Sequence, residues 1–185
     1  MFPDVVSDTV IYENNKNIGT ATVTITGIGK YTGSITKNFK IRLNGTYTIA
    51  SKINKAYVMD VAGASKENKA NIQLYKNNGT SAQKFKITAD GQYYKIICQS
   101  SGKAVDLQGG KAFNKRNVWQ YEYNGSKAQR WSVKQNSDGS IVFLSSIDSD
   151  FALDVTSGKA VNKQNIWIYR ANASDAQSWI LTPAS

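Results

Sequence analysis

Histidine is absent from this 185-residue chain, cysteine occurs once, proline twice, and acidic side chains number 13 against 23 basic ones. Without imidazole, Ser-His-Asp catalysis, Cys-His catalysis and most zinc chemistry fall away. The single thiol, Cys98, rules out an internal disulfide, and its place in the alternating run Tyr94-Lys95-Ile96-Ile97-Cys98 marks it as a buried, inert side chain. No metal and no cofactor is expected. No apolar run approaches the roughly 20 residues that span a bilayer, so membrane insertion is not expected either. The opening Met1-Phe2-Pro3-Asp4 lacks the basic and apolar regions of a signal peptide, which leaves a cytosolic chain or a piece of a longer secreted one.

What remains is a composition of 41% hydrophobic and 19% charged residues, outside the disordered range. Its 6 Phe, 10 Tyr and 4 Trp stand among many Thr, Val, Ile and Asn, which points to short strands joined by turns and to an all-β fold. Comparing the chain with itself finds a repeat. Ala82-Gln83-Lys84-Phe85, Ala128-Gln129-Arg130-Trp131 and Ala176-Gln177-Ser178-Trp179 recur at intervals of 46 and 48 residues. Asp60, Asp106 and Asp154 recur at the same intervals, each 23 residues before its Gln. Between them fall Asn68-Lys69, Asn114-Lys115 and Asn162-Lys163, then strands beginning at Asn71, Asn117 and Asn165.

Each copy reads as four short strands. In the second these are about Tyr93 to Cys98, Lys103 to Asp106, Val118 to Tyr121 and Trp131 to Val133. Three copies, at residues 45–91, 92–139 and 140–185, then give twelve strands. One unit cannot bury its own apolar face, so three share a core about a pseudo-threefold axis, with Phe85, Trp131 and Trp179 as its plugs. Residues 1–44 lie outside the repeat. Ala21, Val23 and Ile25 alternate with threonines, and Phe39, Ile41 and Leu43 with Lys40 and Arg42, which predicts two strands joined through Gly27-Ile28-Gly29-Lys30 and a third near Val10 to Tyr12. Such a small sheet with one apolar face is marginal alone. Pairing with a second copy into a homodimer through residues 1–44 and packing on the repeats are its two ways out of water.

The three Gln-x-aromatic endings and their Asp and Asn-Ile/Val-x-x-Tyr companions resemble those of ricin-type β-trefoil lectins and family 13 carbohydrate-binding modules over residues 45–185. Residues 9–43, with Asn14-Asn15-Lys16-Asn17-Ile18-Gly19-Thr20-Ala21-Thr22-Val23 and Tyr31-Thr32-Gly33-Ser34, resemble the C-terminal half of a bacterial immunoglobulin-like repeat. Together the resemblances imply a non-catalytic carbohydrate-binding module that tethers a secreted or surface bacterial protein to glycan. They place it outside the cell or at its surface. A structural or protein-interaction trefoil with decayed sugar sites is the alternative, and a catalytic domain is disfavoured because the three Asp stand in separate repeats.

A sugar site needs a carboxylate, amides and an aromatic plane converging on a shallow pocket. Each repeat carries a Tyr 15 residues after its Asp and an Asn 18 after it. Strand alternation puts Ile72/Leu74, Val118/Gln120 and Ile166/Ile168 on a core face and Gln73/Tyr75, Trp119/Tyr121 and Trp167/Tyr169 on the other. The resemblance thus implies carbohydrate-binding sets Asp60, Gln73, Tyr75 and Asn78; Asp106, Trp119, Tyr121 and Asn124; and Asp154, Trp167, Tyr169 and Asn172. Gln83, Gln129 and Gln177 read as braces of the Asp loops. Two departures stand out: Ala82, Ala128 and Ala176 occupy a position where the family often has Asn, and Trp119 and Trp167 replace the family's Gln. Only the first repeat keeps Asp, Gln, Tyr and Asn together, which makes it the expected best site, with Trp-x-Tyr in the others suited to stacking along a polysaccharide. Repeats one and two carry 7 and 8 basic groups against 3 acidic each, repeat three 3 against 4. The lysines are scattered rather than clustered, which reads first as a solvated surface and next as a face for a polyanionic wall polymer or sulfated glycan; nucleic acid is not an expected partner, and glycan is.

Overall fold

The structure is a computed structural model that describes residues 8–30 and 32–184, so the opening residues and Tyr31 of the immunoglobulin-like motif lie outside it. The chain divides into two compact units at the junction of Leu43 and Asn44. Among the described residues no helix is long and apolar enough to cross a membrane.

The first unit is an antiparallel sheet ordered β1-β2-β3, with β1 Thr9–Glu13, β2 Gly19–Thr26 and β3 Ser34–Ile41. The third strand starts earlier than its apolar alternation implies and ends before Leu43. Gly27 N donates to Gly33 O at 3.0 Å, which closes the connection and lets pairing begin at Thr26 opposite Ser34 and run to Gly19 opposite Ile41. In that register Ala21 faces Phe39 and Ile25 faces Ile35, while Val10 and Tyr12 oppose Ile25 and Val23. One face is therefore apolar. The other is a hydroxyl ladder, with Thr24 to Thr36 at 3.1 Å and Thr26 to Ser34 at 2.9 Å.

The second unit is a β-trefoil of twelve strands. The first repeat holds β4 Gly45–Ser51, β5 Tyr57–Val61, β6 Ile72–Lys76 and β7 Lys84–Asp90. The second holds β8 Tyr93–Cys98, β9 Ala104–Leu107, β10 Arg116–Tyr121 and β11 Trp131–Gln135. The third holds β12 Ile141–Ser145, β13 Phe151–Val155, β14 Gln164–Arg170 and β15 Trp179–Pro183. The outer strands of each repeat pair in a closed antiparallel ring, β4-β7-β8-β11-β12-β15 and back to β4. Ring closure removes sheet edges from the barrel. The inner strands form three hairpins, β5-β6, β9-β10 and β13-β14, that cap it.

Phe85, Trp131 and Trp179 are fully buried, and the indole N–H groups donate to Val105 O and Leu153 O. Cys98 is buried as well. Where the hairpins meet, Asn71, Asn117 and Asn165 close a cycle of amide hydrogen bonds. Asn71 Nδ2 donates to Asn165 Oδ1 at 2.8 Å, Asn165 Nδ2 to Asn117 Oδ1 at 2.9 Å, and Asn117 Nδ2 to Asn71 Oδ1 at 2.9 Å. Each repeat also grips the next. Lys69 N donates to Gln120 O, Lys115 N to Ile168 O and Lys163 N to Leu74 O, while Asn68, Asn114 and Asn162 accept from Glu122 N, Arg170 N and Lys76 N.

Truncating Trp131 to Ala removes a fully buried indole and is expected to cost about 3–5 kcal/mol in urea unfolding. Asn117→Ala leaves both neighbours in the amide cycle short of a partner, so a loss of about 1–3 kcal/mol is expected. A loss under about 0.5 kcal/mol, the range of ordinary surface substitutions, rules out a structural role for the cycle.

Candidate functional site

In each hairpin the Asp near the end of the first strand lies directly opposite the residue two before the Tyr of the second. Asp60 pairs with Gln73, Asp106 with Trp119 and Asp154 with Trp167. Residues opposite one another share a face, so their side chains meet. Gln73 Nε2 donates to Asp60 Oδ1 at 2.9 Å, and the indole Nε1 of Trp119 and of Trp167 donates to Asp106 Oδ1 and Asp154 Oδ1 at 2.6 Å each. The replacement of Gln by Trp therefore removes no donor from the carboxylate. An indole carries one N–H and no acceptor, which suits this position as well as an amide does.

The Gln of each Gln-x-aromatic ending is buried and braces the loop beside the Asp. Gln83, Gln129 and Gln177 accept from the backbone N–H of Asn78, Asn124 and Asn172 at 2.8, 2.8 and 2.9 Å. Their amide nitrogens donate to Lys76 O, Glu122 O and Arg170 O, and Gln177 reaches Asp154 Oδ2 as well, at 3.0 Å. The Asn side chains are oriented in turn, with Oδ1 accepting from Thr80 N, Ser126 N and Ser174 N.

The result is three equivalent hollows. The first, of about 320 Å³, gathers Asp60, Gln73, Tyr75 and Asn78. The second, about 490 Å³, gathers Asp106, Trp119, Tyr121 and Asn124. The third, about 650 Å³, gathers Asp154, Trp167, Tyr169 and Asn172. In the second and third the Trp and Tyr rings stand 6.3 and 6.1 Å apart and tilted by 33° and 30°, a broader aromatic wall than Tyr75 makes. Ala82, Ala128 and Ala176 line the hollows, each presenting a methyl group there. Sequence reasoning passed over Thr80, Ser126 and Ser174, which also line them and share one offset, 20 residues after each Asp. It passed over the left-handed turns after each Asp as well, at Gly63 and Ala64, Gly109 and Gly110, and Ser157 and Gly158. Among the described residues no group of His, Cys, Asp and Glu is placed to hold a metal ion.

Burial raises Asp60, Asp106 and Asp154 above the ordinary carboxylate value, and the N–H donors pull each partly back: Gln73 and Gln83 on Asp60, Trp119 and Gln129 on Asp106, Trp167 and Gln177 on Asp154. With folded values above unfolded ones, these groups favour the native state at pH below the unfolded value, and that contribution is lost as pH rises through the folded value. A function that needs the ionised carboxylate runs the other way and fades as pH falls through the raised value. Trp119→Phe deletes a donor to Asp106 and is expected to move its titration further up. Carboxyl ¹³C NMR reads the shift, and an unmoved or lowered Asp106 contradicts the assignment of the indole as its stabilising donor.

A family model described as a ricin-type beta-trefoil lectin domain-like family matches residues 36–121 and 83–169. Among solved structures the chain is similar to ThreeFoil, a designed threefold-symmetric protein, at 28% identity and a TM-score of 0.72, covering 75% of this chain and 99% of that one. The ricin B-like lectin of Macrolepiota procera, solved in complex with lactose, superposes with a TM-score of 0.64 at 18% identity over 78% of this chain and 99% of its own. An exo-beta-1,3-galactanase from Clostridium thermocellum reaches a TM-score of 0.72 at 21% identity, covering 89% of this chain and 38% of the enzyme. At 18% and 21% identity the last two show the fold alone. No curated protein sequence matches the chain.

Proposed function

This chain belongs to the ricin-type β-trefoil lectin-like family, and from that membership we infer that it is a non-catalytic carbohydrate-binding module holding a secreted or surface bacterial protein on glycan through up to three shallow sites. The observation that carries the reading is the threefold recurrence of a buried carboxylate fixed by N–H donors, beside a half-exposed Tyr and an oriented Asn, at the floor of an open hollow. The carboxylate accepts from sugar hydroxyls, the Asn amide donates to them, and the ring takes the C–H face. Glycoside hydrolysis uses a facing acid pair. The first two hollows each offer a single carboxylate, and in the third Asp175 is held by Lys52 at 3.1 Å.

The lead expected of the first repeat rests on Gln73, and Trp119 and Trp167 offer their own Asp an N–H donor in the same place. The sites also differ in their walls, the first hollow having the smallest volume of the three and the other two presenting paired rings. Each site is expected to bind weakly, about millimolar to tens of micromolar, with useful retention coming from several sites on one polymer. A glycan array with wild type and the Asp60→Ala, Asp106→Ala and Asp154→Ala variants tests this. Stepwise loss of polymer binding supports it, whereas no binding to any glycan favours a protein-interaction trefoil, the reading that the alanines at 82, 128 and 176 speak for. Wild-type binding is further expected to weaken as pH falls through the raised Asp values.

For the first unit we propose homodimerisation through residues 1–44. Val10, Tyr12, Ile25, Ile35 and Phe39 are exposed on the apolar side of the sheet, and among the described residues β1 and β3 are its edge strands. Light scattering is expected to find a dimer that becomes monomeric when residues 1–43 are removed; a monomer in both cases refutes it.

A further inference from the structure

We propose that the first and third sites are each completed by a lysine from the neighbouring repeat, Lys163 and Lys115 respectively, and that these lysines select a saccharide bearing an anionic oxygen group, a carboxylate or phosphate on the sugar. The proposal rests on the carbohydrate-binding reading above and names its ligand class.

Lys163 belongs to the third repeat yet lines the hollow of Asp60, and Lys115 belongs to the second yet lines that of Asp154. Neither is there by looseness of a loop. The backbone N–H of Lys163 donates to Leu74 O and that of Lys115 to Ile168 O, both at 2.9 Å. The preceding residues, Asn162 and Asn114, accept from Lys76 N and Arg170 N at 2.8 Å. Each lysine is thus anchored on the strand that carries the stacking Tyr of a foreign site. Both also hold a left-handed backbone, with φ of 65° for Lys163 and 67° for Lys115, a conformation the repeat imposes on Lys69 as well, at 70°. Glycine takes that conformation without the steric conflict of a Cβ, so a long cationic side chain there is a strained choice that the fold sustains.

Among the described residues the charge has no counter-ion: neither ammonium enters an ion pair, and both side chains are exposed. The carboxylates in these hollows are already engaged: Asp60 by Gln73, Asp154 by Trp167 and Gln177, and Asp175 by Lys52. An ammonium has three donors and no acceptor, and its best partner is an oxyanion. With the Asp taking ring hydroxyls, the lysine is left for an anionic substituent of the same or the adjacent sugar. The second hollow differs. Lys69 makes the equivalent backbone bond to Gln120 O at 2.8 Å but does not line the hollow, and Lys127 of the same repeat does.

The test measures retention of the full chain by galactan, mannan and β-glucan, each offered native, C6-carboxylated and C6-phosphorylated. Wild type is compared with Lys163→Gln/Lys115→Gln, with Asp60→Ala/Asp154→Ala, and with the control Lys86→Gln/Lys134→Gln. Thermal unfolding verifies that the variants fold. At least one charged form is expected to bind about three- to fivefold more tightly than its native polymer, an advantage lost in Lys163→Gln/Lys115→Gln and in high salt but kept in the control. The carboxylated and phosphorylated arms tell which oxyanion is preferred. Equal binding of native and charged polymers, or an advantage that the control abolishes as well, overturns the lysine assignment; if Asp60→Ala/Asp154→Ala still weakens binding, the carbohydrate reading survives it. Binding to no polymer in any form overturns both.

Discussion

The trefoil depends on closure between repeats. A four-strand unit leaves its second hairpin strand without a neighbour on one side, and the next repeat supplies it. Asn71, Asn117 and Asn165 join the three strands through a cycle of amides, each giving one hydrogen bond and accepting one. Backbone N–H groups of Lys69, Lys115 and Lys163 then take the carbonyls of Gln120, Ile168 and Leu74. These amides are half-buried, so one left without its partner is only partly repaid by water, and the cycle is strongest when all three members are present. The second repeat adds a variation. Gln120 stands where the others have Leu74 and Ile168, fully buried, and its amide nitrogen donates to Ser65 O and Glu67 O of the first repeat.

Closure also decides where function can reside. The barrel uses the outer strands and the cap uses the hairpins, so each Asp lies on the outer face of a hairpin, next to a loop that the following Gln holds in place. Burial pushes the carboxylate towards its neutral form while N–H donors hold the ionised one, and the two opposed effects leave an acceptor aimed into an open hollow. Gln73 and the two tryptophans perform that donation with different shapes. The chemistry of the carboxylate is kept, and the wall beside it changes from an amide to an indole that leans against the following Tyr.

Because the first and third sites each border a loop of the repeat that precedes them around the threefold axis, their charge is not set by their own repeat alone. The third repeat is the acidic one, with 3 basic against 4 acidic groups, yet its hollow receives Lys115 from the basic second repeat. A count of charges along the chain therefore misjudges the local field. The first unit follows a simpler rule, alternation across a sheet, and its threonines form a hydroxyl ladder on one side while Val10, Ile25 and Phe39 gather on the other.

The repeat, the twelve strands, the buried Phe85, Trp131 and Trp179 and the grouping of Asp, Tyr and Asn were legible in the sequence alone, since the same residue types recur at the same offsets and period-two alternation separates core from surface. Three features were decided only by the tertiary structure. The partners of Asn71 and Asn165 are 94 residues apart, so neither spacing nor propensity announces their bond. The equivalence of Gln73 with Trp119 and Trp167 lies in the position of an N–H group, which two chemically unlike side chains deliver only once the register across the hairpin is known. The lysines beside the first and third sites come from other repeats because a threefold closure makes neighbours of segments that the chain keeps far apart.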